Sequence, residues 1–362
     1  MKSTATKKVL VAMSGGVDSS VAAALLKEQG YDLIGITMNL YCGNSAADRG
    51  CCSLSAAADA KKVADLLGFP HYTLNFKDEF QKLVIDNFIE EYRNGRTPNP
   101  CVRCNQFIKF DHLLKKAKEL GAEYIATGHY ARIIPVSALR ITRYELLKGL
   151  DHKKDQSYVL YTLNQEMLAH TIFPLGNFAK PVVRELANKF KLPVAEKPES
   201  QDICFVEDND YGSFLRKHLP DAVRPGPILD RSGNIVGEHN GIIHYTIGQR
   251  SGIGAHTGRK YVTAIDPASN TVTIGEDADL FKDTLIASNV TTVSGEFFKT
   301  PVEVAAKVRY NSAEAGGKLF PIDKDRIELK FNKPQRAITP GQSVVFYQGE
   351  AVLGGGIIEG GK

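Results

Sequence analysis

The sequence has 362 residues, of which 43% are hydrophobic and 24% charged, and its formal net charge is +4. This length suggests two or three domains, and the charge permits an anionic partner without requiring one. No run approaches the roughly 18 apolar residues of a membrane-spanning helix, and the apolar run after the basic N-terminus is shorter than the roughly 7–15 residues of a signal peptide. We therefore expect a cytoplasmic protein whose six cysteines serve catalysis or metal binding rather than a disulfide scaffold.

Residues 8 to 200 alternate short apolar segments with amphipathic ones. The segments KVLVAM, LIGITMNL, HYTLNF and AEYIATGHY have the apolar character of strands. Segments with helical spacing of apolar residues lie between them, and two of these end at Gly30 and Gly68. The alternation predicts an α/β fold with a parallel sheet covered by helices on both faces.

The pattern changes after residue 205. A stretch rich in Gly, Pro and Asn follows, and then strand-like segments such as VEVAAKVRYN and DRIELKFN separated by turns. We predict an α/β catalytic domain at 1–205, a small, mainly β domain at 206–280 and a C-terminal β-barrel at 281–362.

A glycine-rich turn follows the first predicted strand, in VLVAMSGGVDSS. Glycines let the backbone approach a ligand closely, and the next helix presents unpaired N–H groups and a positive dipole end. This combination predicts a pyrophosphate cradle, although no lysine follows the glycines as in G-x-x-x-x-G-K-[ST]. The alternative is a structural turn capped by Asp18 or a serine. The predicted nucleotide-binding residues of this segment are Ala12, Met13, Ser14, Gly15, Gly16, Val17, Asp18 and Ser19.

A C-x-x-C pair, Cys101 and Cys104, lies in the proline-stiffened stretch TPNPCVRCN. Such a pair can be half of a zinc site, a redox couple, part of an iron–sulfur site, or a nucleophile beside a bystander. No second pair has the usual zinc spacing, which disfavours zinc. We interpret Cys42, Cys51 and Cys52 as small, partly buried loop thiols.

The motif SGGVDS resembles the PP-loop of the ATP pyrophosphatases, which cleave ATP to AMP and pyrophosphate. Five further motifs resemble, in this order, the tRNA-specific 2-thiouridylase family: TPNPCVRCNQFIKF, ATGHYAR, LLKGLDHKKDQSYVLY, ESQDICF and HYTIGQR. The resemblance covers essentially the whole chain and implies a sheet of the adenine nucleotide alpha hydrolase-like type. It implies an enzyme that uses ATP, with Mg²⁺, to adenylate the C2 oxygen of the wobble uridine (position 34) of tRNA before sulfur displaces AMP.

The resemblance implies two thiols that act together, Cys104 as the first thiol and Cys204 as the persulfide carrier. A persulfide carries nucleophilic sulfur, and a second thiol resolves the remaining link as a disulfide. Some family members have aspartate at the position of Cys101. The cysteine found here leaves open an iron–sulfur cluster held by Cys101, Cys104 and Cys204.

The resemblance also implies contacts with the substrates. Asn99, Pro100 and Cys101 would meet the target base, and Met38 and Gly128 the adenine nucleotide. The implied tRNA contacts are His129, Lys154, Asp155, Gln156, Arg309, Tyr310 and Gln342. Additional phosphate contacts are open to Arg103, Lys109, Arg132 and Arg250. We expect a monomer that receives sulfur from a donor protein, either a cysteine desulfurase or a sulfur relay protein.

Two other functions stay open at this point. A related PP-loop enzyme could use an amine as nucleophile, as in lysidine synthesis, and would not need the two thiols. A non-catalytic RNA-binding protein could use the C-x-x-C pair to clip a metal, and would not hydrolyse ATP.

Overall fold

The N-terminal part of the chain is built on a five-stranded sheet in which every pairing is parallel. The computed structural model describes residues 6–41, 54–138, 141–198, 203–206 and 210–362. The strands of this sheet, in spatial order, are His71–Asn75 (β3), Asp32–Asn39 (β2), Lys8–Ala12 (β1), Tyr124–Ala126 (β4) and Thr171–Ile172 (β7). The predicted parallel sheet is therefore confirmed.

Helices cover both faces of this sheet, as β1 shows most clearly. Val9, Leu10 and Val11 are fully buried. Leu10 belongs to one hydrophobic cluster, whereas Val9 and Val11 belong to another. Successive strand residues point to opposite faces, so the two clusters are the two sides of the sheet.

Besides short 3-10 helices at Ser157–Leu160, Pro220–Ala222, Ile242–His244 and Asp277–Leu280, the described residues form seven other helices. Two of them are composite, because consecutive segments with α and π hydrogen bonding follow one another without a break. The helices are Val17–Glu28 (α1), Leu54–Leu67 (α2), the run of Lys77–Phe80, Gln81–Ile85 and Asp86–Arg93 (α3), the run of Pro100–Arg103, Cys104–His112 and Leu113–Glu119 (α4), Gln165–Ala169 (α5), Lys180–Lys189 (α6) and Tyr211–His218 (α7). None of the helices in the described ranges is both long and apolar enough to cross a membrane.

A small sheet of four strands follows in the central part of the chain. Its spatial order is β10-β11-β8-β9 for the strands Gly226–Leu229 (β8), Ile235–His239 (β9), Tyr261–Asp266 (β10) and Thr271–Gly275 (β11). It has a core of its own, which includes Ile228, Val262 and Val272.

The C-terminal strands close into a six-stranded antiparallel barrel. They are Phe281–Thr292 (β12), Val302–Lys307 (β13), Ala315–Pro321 (β14), Ile327–Arg336 (β15), Ser343–Gln348 (β16) and Ala351–Gly361 (β17). Pairing of β12 with both β15 and β17 closes the barrel. The predicted β-barrel is confirmed.

One hairpin was not predicted from the sequence. The antiparallel strands Ala131–Ala138 (β5) and Ile141–Lys148 (β6) come directly after the parallel strand β4, yet they extend the sheet of the barrel. Leu147 pairs with Ala351 of β17, and the Lys148 ammonium group donates to Glu314 at 2.8 Å and to the Gly349 carbonyl at 2.9 Å. The catalytic part and the barrel thus share one sheet.

The packing of β17 against β12 yields a stability prediction with its own control. Gly354 has a φ of +151°, and a Cβ there would lie 2.1 Å from the Thr291 carbonyl oxygen, whereas a Cβ at Gly360 would meet nothing within 4 Å. We expect Gly354→Ala to lower the free energy of unfolding by roughly 2–4 kcal/mol, because backbone strain and overpacking add.

The matched variant Gly360→Ala should stay within about 0.5 kcal/mol of the parent. Thermal and urea denaturation of both variants would measure the difference. Equal midpoints for the two would show that the close approach at Gly354 relaxes without cost.

Candidate active site

The candidate site lies at the carboxyl ends of β1 and β4. The strand order runs outward in opposite directions from this pair, from β1 to β2 and β3, and from β4 to β7. Open α/β sheets bind ligands in the crevice at such a switch point. The predicted phosphate loop follows β1, and Gly128 and His129 follow β4.

The loop after β1 is held in place by its backbone. The Met13 N–H donates to the Ile36 carbonyl at 2.8 Å, and the Thr37 hydroxyl donates to the Met13 carbonyl at 2.8 Å. Gly15 has a φ of +65°, and a Cβ there would lie 2.2 Å from the Ala56 carbonyl oxygen. A side chain at Gly15 would thus force the loop away from helix α2.

The first turn of α1 has no side-chain cap on its backbone N–H groups, as an anion-binding helix N-terminus requires. Its N-cap is Gly16, and no side chain caps it; the hydroxyls of Ser19 and Ser20 donate back to the Gly16 carbonyl at 3.2 and 2.8 Å. A Cβ at Gly128 would lie 2.7 Å from the Ser19 nitrogen. Glycine at this position lets the backbone after β4 pass against the first turn of α1 without a clash, and an N-terminus of this kind suits a phosphate group.

The alternative of a turn capped by Asp18 is not what the structure shows. The Asp18 carboxylate accepts a hydrogen bond from the Tyr130 hydroxyl at 2.7 Å, and the Lys180 ammonium group contacts its two oxygens at 2.7 and 2.9 Å. Of the other predicted loop residues, Ala12, Met13 and Val17 are buried and Ser14 is exposed. Met38 is half-buried near the end of β2.

A second lysine reaches the same loop. The Lys197 ammonium group donates to the Gly15 carbonyl at 3.1 Å and to Asp59 at 2.8 Å, and this hydrogen bond lowers the pKa of the Asp59 carboxyl. Neither Lys180 nor Lys197 was predicted from the sequence. Both lie more than a hundred residues from the loop, and nothing in their local sequence marks them.

The C-x-x-C pair lies at the start of helix α4. The Asn99 side-chain oxygen caps this helix by accepting from the Cys101 and Val102 N–H groups at 3.1 and 3.3 Å, and Pro100 is the first helical residue. Cys101 is exposed, whereas Cys104, one turn further on, is only 7% exposed. The two cysteines therefore face different environments.

Asn105, beside Cys104, is 2% exposed. Its amide nitrogen donates to the Cys101 carbonyl at 3.0 Å, and its side-chain oxygen is a buried acceptor that has no hydrogen-bond partner among the described residues. A buried acceptor that lacks a donor is costly. Sequence reasoning did not single out this residue.

Cys204 is exposed in the described segment 203–206, and its neighbour Phe205 anchors that segment. The Phe205 ring, 2% exposed, packs against the aromatic rings of Phe80, Phe88 and Phe214 at centroid distances of 5.7, 5.2 and 5.3 Å. Phe205 and Cys104 belong to the same hydrophobic cluster, which also includes Ala12 at the end of β1. One cluster therefore links the segments of both predicted thiols to the nucleotide loop.

The three cysteines do not fit a metal site as they are positioned. Across the described ranges, no three His, Cys, Asp or Glu side chains converge where a metal ion could bind. Cys101, Cys104 and Cys204 all lie within these ranges. The cysteines Cys42, Cys51 and Cys52 lie outside them.

The barrel contacts the C-x-x-C segment directly. The Gln342 amide donates to the carbonyls of Thr97 and Pro98 at 2.9 and 3.2 Å, and the Thr97 N–H donates to the Pro340 carbonyl at 2.9 Å. These bonds fix the loop that precedes Asn99. The predicted tRNA contact Gln342 therefore has a structural role.

Tyr310 lies where the barrel meets the stretch 154–156. Its ring is 37% exposed, and its hydroxyl donates to the Asp155 carbonyl at 3.3 Å. Burial of the hydroxyl raises the pKa of Tyr310, and the electrostatic effects of Asp155 and Cys101 act in the same direction. The structure thus brings a predicted tRNA contact close to a predicted base contact.

Two residues of the stretch 154–156 organise the backbone. Asp155 accepts from the N–H groups of Gly149 and Ser157 at 2.9 and 3.1 Å, and Gln156 accepts from the Tyr130 N–H at 3.0 Å. Lys154 is half-buried.

His129 and Arg309 also have partners inside the protein. His129 is 7% exposed, its Nδ1 lies 2.7 Å from the Thr127 hydroxyl, and burial lowers its pKa well below the usual value, so the ring is neutral. The Arg309 guanidinium donates to the carbonyls of Ile247 and Ala337 at 2.9 and 3.2 Å. Both environments are typical of structural residues.

The four additional basic residues differ in their availability. The Arg103 guanidinium donates to the Leu83 carbonyl at 2.8 Å, and that of Arg132 pairs with Glu350 at 2.5 Å. Lys109 is half-buried, and Arg250 is exposed.

Comparison with protein families accounts for the three parts of the chain. A model described as the tRNA methyl transferase HUP domain matches residues 7–208, a PRC-barrel domain model of the same series matches residues 212–276, and an aminomethyltransferase beta-barrel domain model matches residues 282–358. A solved structure, NMN synthetase from Francisella tularensis, is 17% identical over 60% of this chain and 78% of that chain with a TM-score of 0.35, too weak a likeness to support any argument.

Full-length relatives are more informative. A protein from Clostridium acetobutylicum named tRNA-specific 2-thiouridylase MnmA is 50% identical over 98% of this chain and 99% of its own. A protein from Caldanaerobacter subterraneus named tRNA-specific 2-thiouridylase MnmA 1 is 53% identical over 97% of this chain and 98% of its own. Identity at this level over nearly the entire length of both chains shows that this chain belongs to the tRNA-specific 2-thiouridylase family.

Proposed function

We propose that this protein catalyses the ATP-dependent 2-thiolation of uridine 34 in tRNA, as a tRNA-uridine 2-sulfurtransferase that forms AMP and pyrophosphate. The observation that carries the proposal is the single hydrophobic cluster that joins the Cys104 helix, the anchor of the Cys204 segment and the end of β1. This cluster supports the proposal that two thiols a hundred residues apart in sequence act at one nucleotide site.

The nucleotide site is suited to ATP. The open first turn of α1 would take the pyrophosphate portion, with Gly15, Gly16 and Gly128 leaving room for it. Magnesium, when bound, would neutralise phosphate charge and polarise the phosphoryl group. The Asp18 carboxylate in the first turn of α1 could hold the ion only after Lys180, whose ammonium group contacts both of its oxygens, turns toward the phosphates.

The first step activates a poor electrophile. The C2 oxygen of uridine attacks the α-phosphorus of ATP, an O–P bond forms, and the bond to pyrophosphate breaks with its electron pair leaving on pyrophosphate. The C2 oxygen then belongs to AMP, which is a good leaving group. The residues of the chain orient the two reactants and bind the departing pyrophosphate.

The second step transfers sulfur. The terminal sulfur of a persulfide on Cys204 attacks C2, and AMP leaves with the electron pair of the C–O bond. Cys104 then attacks the Cys204 sulfur, which releases 2-thiouridine and leaves a Cys104–Cys204 disulfide. The Cys104 thiol is oxidised as the terminal persulfide sulfur is reduced, while the Cys204 sulfur passes from persulfide to disulfide, so a reductant must restore both thiols before the next turnover.

The proposal includes the surroundings of the reaction. A sulfur donor protein charges Cys204, and Asn99, Pro100 and Cys101 contact the target base. The tRNA lies along the barrel and the stretch 154–156. The protein works as a cytoplasmic monomer without an iron–sulfur cluster, with domains at 1–205, 206–280 and 281–362.

The names of the matching family models refer to methyl transfer, whereas the names of the full-length relatives refer to thiolation. The two reactions need different co-substrates. Methyl transfer would not need ATP cleavage to AMP or the two thiols.

The cysteines provide the first test. We expect Cys104→Ser and Cys204→Ser to reduce thiolation to background, because each removes one sulfur that the second step requires. Cys101→Ser keeps both sulfurs of the transfer, so thiolation at saturating tRNA should stay within about threefold, and loss of the base contact should appear only in the KM for tRNA. Thiolated tRNA and AMP are measured with purified protein, ATP, Mg²⁺, a sulfur donor and tRNA transcript.

An amine or methyl mechanism would leave Cys104→Ser and Cys204→Ser active. Loss of activity in Cys101→Ser, together with iron and sulfide in anaerobically purified protein, would favour the cluster instead. If the parent protein neither thiolates tRNA nor releases AMP, the proposal is wrong.

Tyr310 provides a test of the tRNA surface. Tyr310→Ala should raise the KM for tRNA about tenfold, because base stacking on an aromatic ring contributes about 1–3 kcal/mol, while Tyr310→Phe should keep most of the affinity. The control is Tyr72→Ala, in the edge strand β3 of the parallel sheet, where the tyrosine is 55% exposed. An unchanged KM in Tyr310→Ala would remove Tyr310 from the tRNA surface.

A further inference from the structure

The phosphate loop contains no lysine in its own sequence, but the fold brings one to it. Lys180 is 8% exposed, and its ammonium group contacts both oxygens of Asp18 in the first turn of α1. A buried ammonium group requires a compensating anion, and lysine is among the residues most rarely buried. Its location beside the loop therefore calls for an explanation.

The position of Lys180 is fixed by its backbone. It is the first residue of α6, and its N–H donates to the Asp151 carboxylate at 2.9 Å, a bond that lowers the pKa of Asp151. Val183 and Ala187 of the same helix are fully buried in the cluster that contains residues of α1. The start of α6 is thus held against the start of α1.

The charges at this point are unfavourable for ATP unless Lys180 is present. The polyphosphate carries several negative charges, and the Asp18 carboxylate adds another at the same helix turn. The Lys180 ammonium group offsets the Asp18 charge while the site is empty of nucleotide. Because Asp18 belongs to the first turn of α1, this ion pair places the ammonium group at the same end of the helix as the proposed phosphate site.

We infer that Lys180 is a further binding residue of the nucleotide site. Its ammonium group pairs with Asp18 before ATP binds, and it then places its positive charge beside the pyrophosphate portion of ATP. The inference rests on the proposed ATP-dependent function. Lys180 would supply the charge that the lysine of a G-x-x-x-x-G-K-[ST] loop supplies from within its own loop. AMP lacks the pyrophosphate portion, so Lys180 should distinguish ATP from AMP.

Equilibrium binding of ATP and of AMP to the full-length protein tests this, with Mg²⁺ present and tRNA absent. Lys180→Met should weaken ATP binding by about tenfold to a hundredfold and change AMP binding by less than about twofold. Lys180→Arg should restore most of the ATP affinity because it keeps the charge. The control Lys189→Met, in the last turn of the same helix where the side chain is 64% exposed, should change neither.

Because Lys180→Met leaves the Asp18 carboxylate without its ion-pair partner, a second comparison separates loss of binding from misfolding. In an Asp18→Asn background, adding Lys180→Met leaves no unpaired charge, and it should still weaken ATP binding selectively. Unchanged ATP affinity, or equal losses for ATP and AMP, would overturn the inference. A parent protein that binds no ATP would instead contradict the proposed function itself.

Discussion

The unpaired N–H groups at the start of α1 are the constraint on which the proposed nucleotide site depends. They could bind a phosphate only if no side chain capped or covered them. Gly16 at the N-cap has no side chain, Gly128 lets the backbone after β4 pass close to the Ser19 nitrogen, and Gly15 lets the loop pass close to Ala56. The strand order brings the loops after β1 and β4 together at one switch point, so the topology of the sheet determines where the proposed site lies.

Local pattern was enough to predict the parts that local physics determines. The parallel sheet, the barrel and the phosphate loop follow from apolar alternation and from glycine placement. These elements are specified by short stretches of sequence, which is why a single sequence revealed them.

What the sequence could not reveal depends on contacts between distant residues. Lys180 and Lys197 reach the loop from more than a hundred residues away. The hairpin of β5 and β6 has ordinary strand character, and only tertiary pairing assigns it to the barrel rather than to the parallel sheet. The roles proposed for Cys104 and Cys204 came from family resemblance, and the cluster that Cys104 shares with Phe205, the neighbour of Cys204, is visible only in three dimensions.

Several polar residues expected at the tRNA surface are occupied within the protein. Asn99 caps a helix, Asp155 and Gln156 bind backbone N–H groups, and Gln342 fixes the loop before Asn99. A family resemblance identifies such positions, but it does not say which atoms are available for recognition. Tyr310 differs, because its ring keeps a substantial exposed surface.

The shared sheet has a consequence for how this chain can change in evolution. The barrel is joined to the catalytic part through the pairing of Leu147 with Ala351, through the bonds of Lys148, and through Gln342 at the C-x-x-C loop. A foreign barrel grafted at residue 281 would leave the edge of β6 and the loop carbonyls without partners. The barrel is therefore not an interchangeable module. A chimera would have to take the barrel together with the β5–β6 hairpin and the C-x-x-C loop that it contacts.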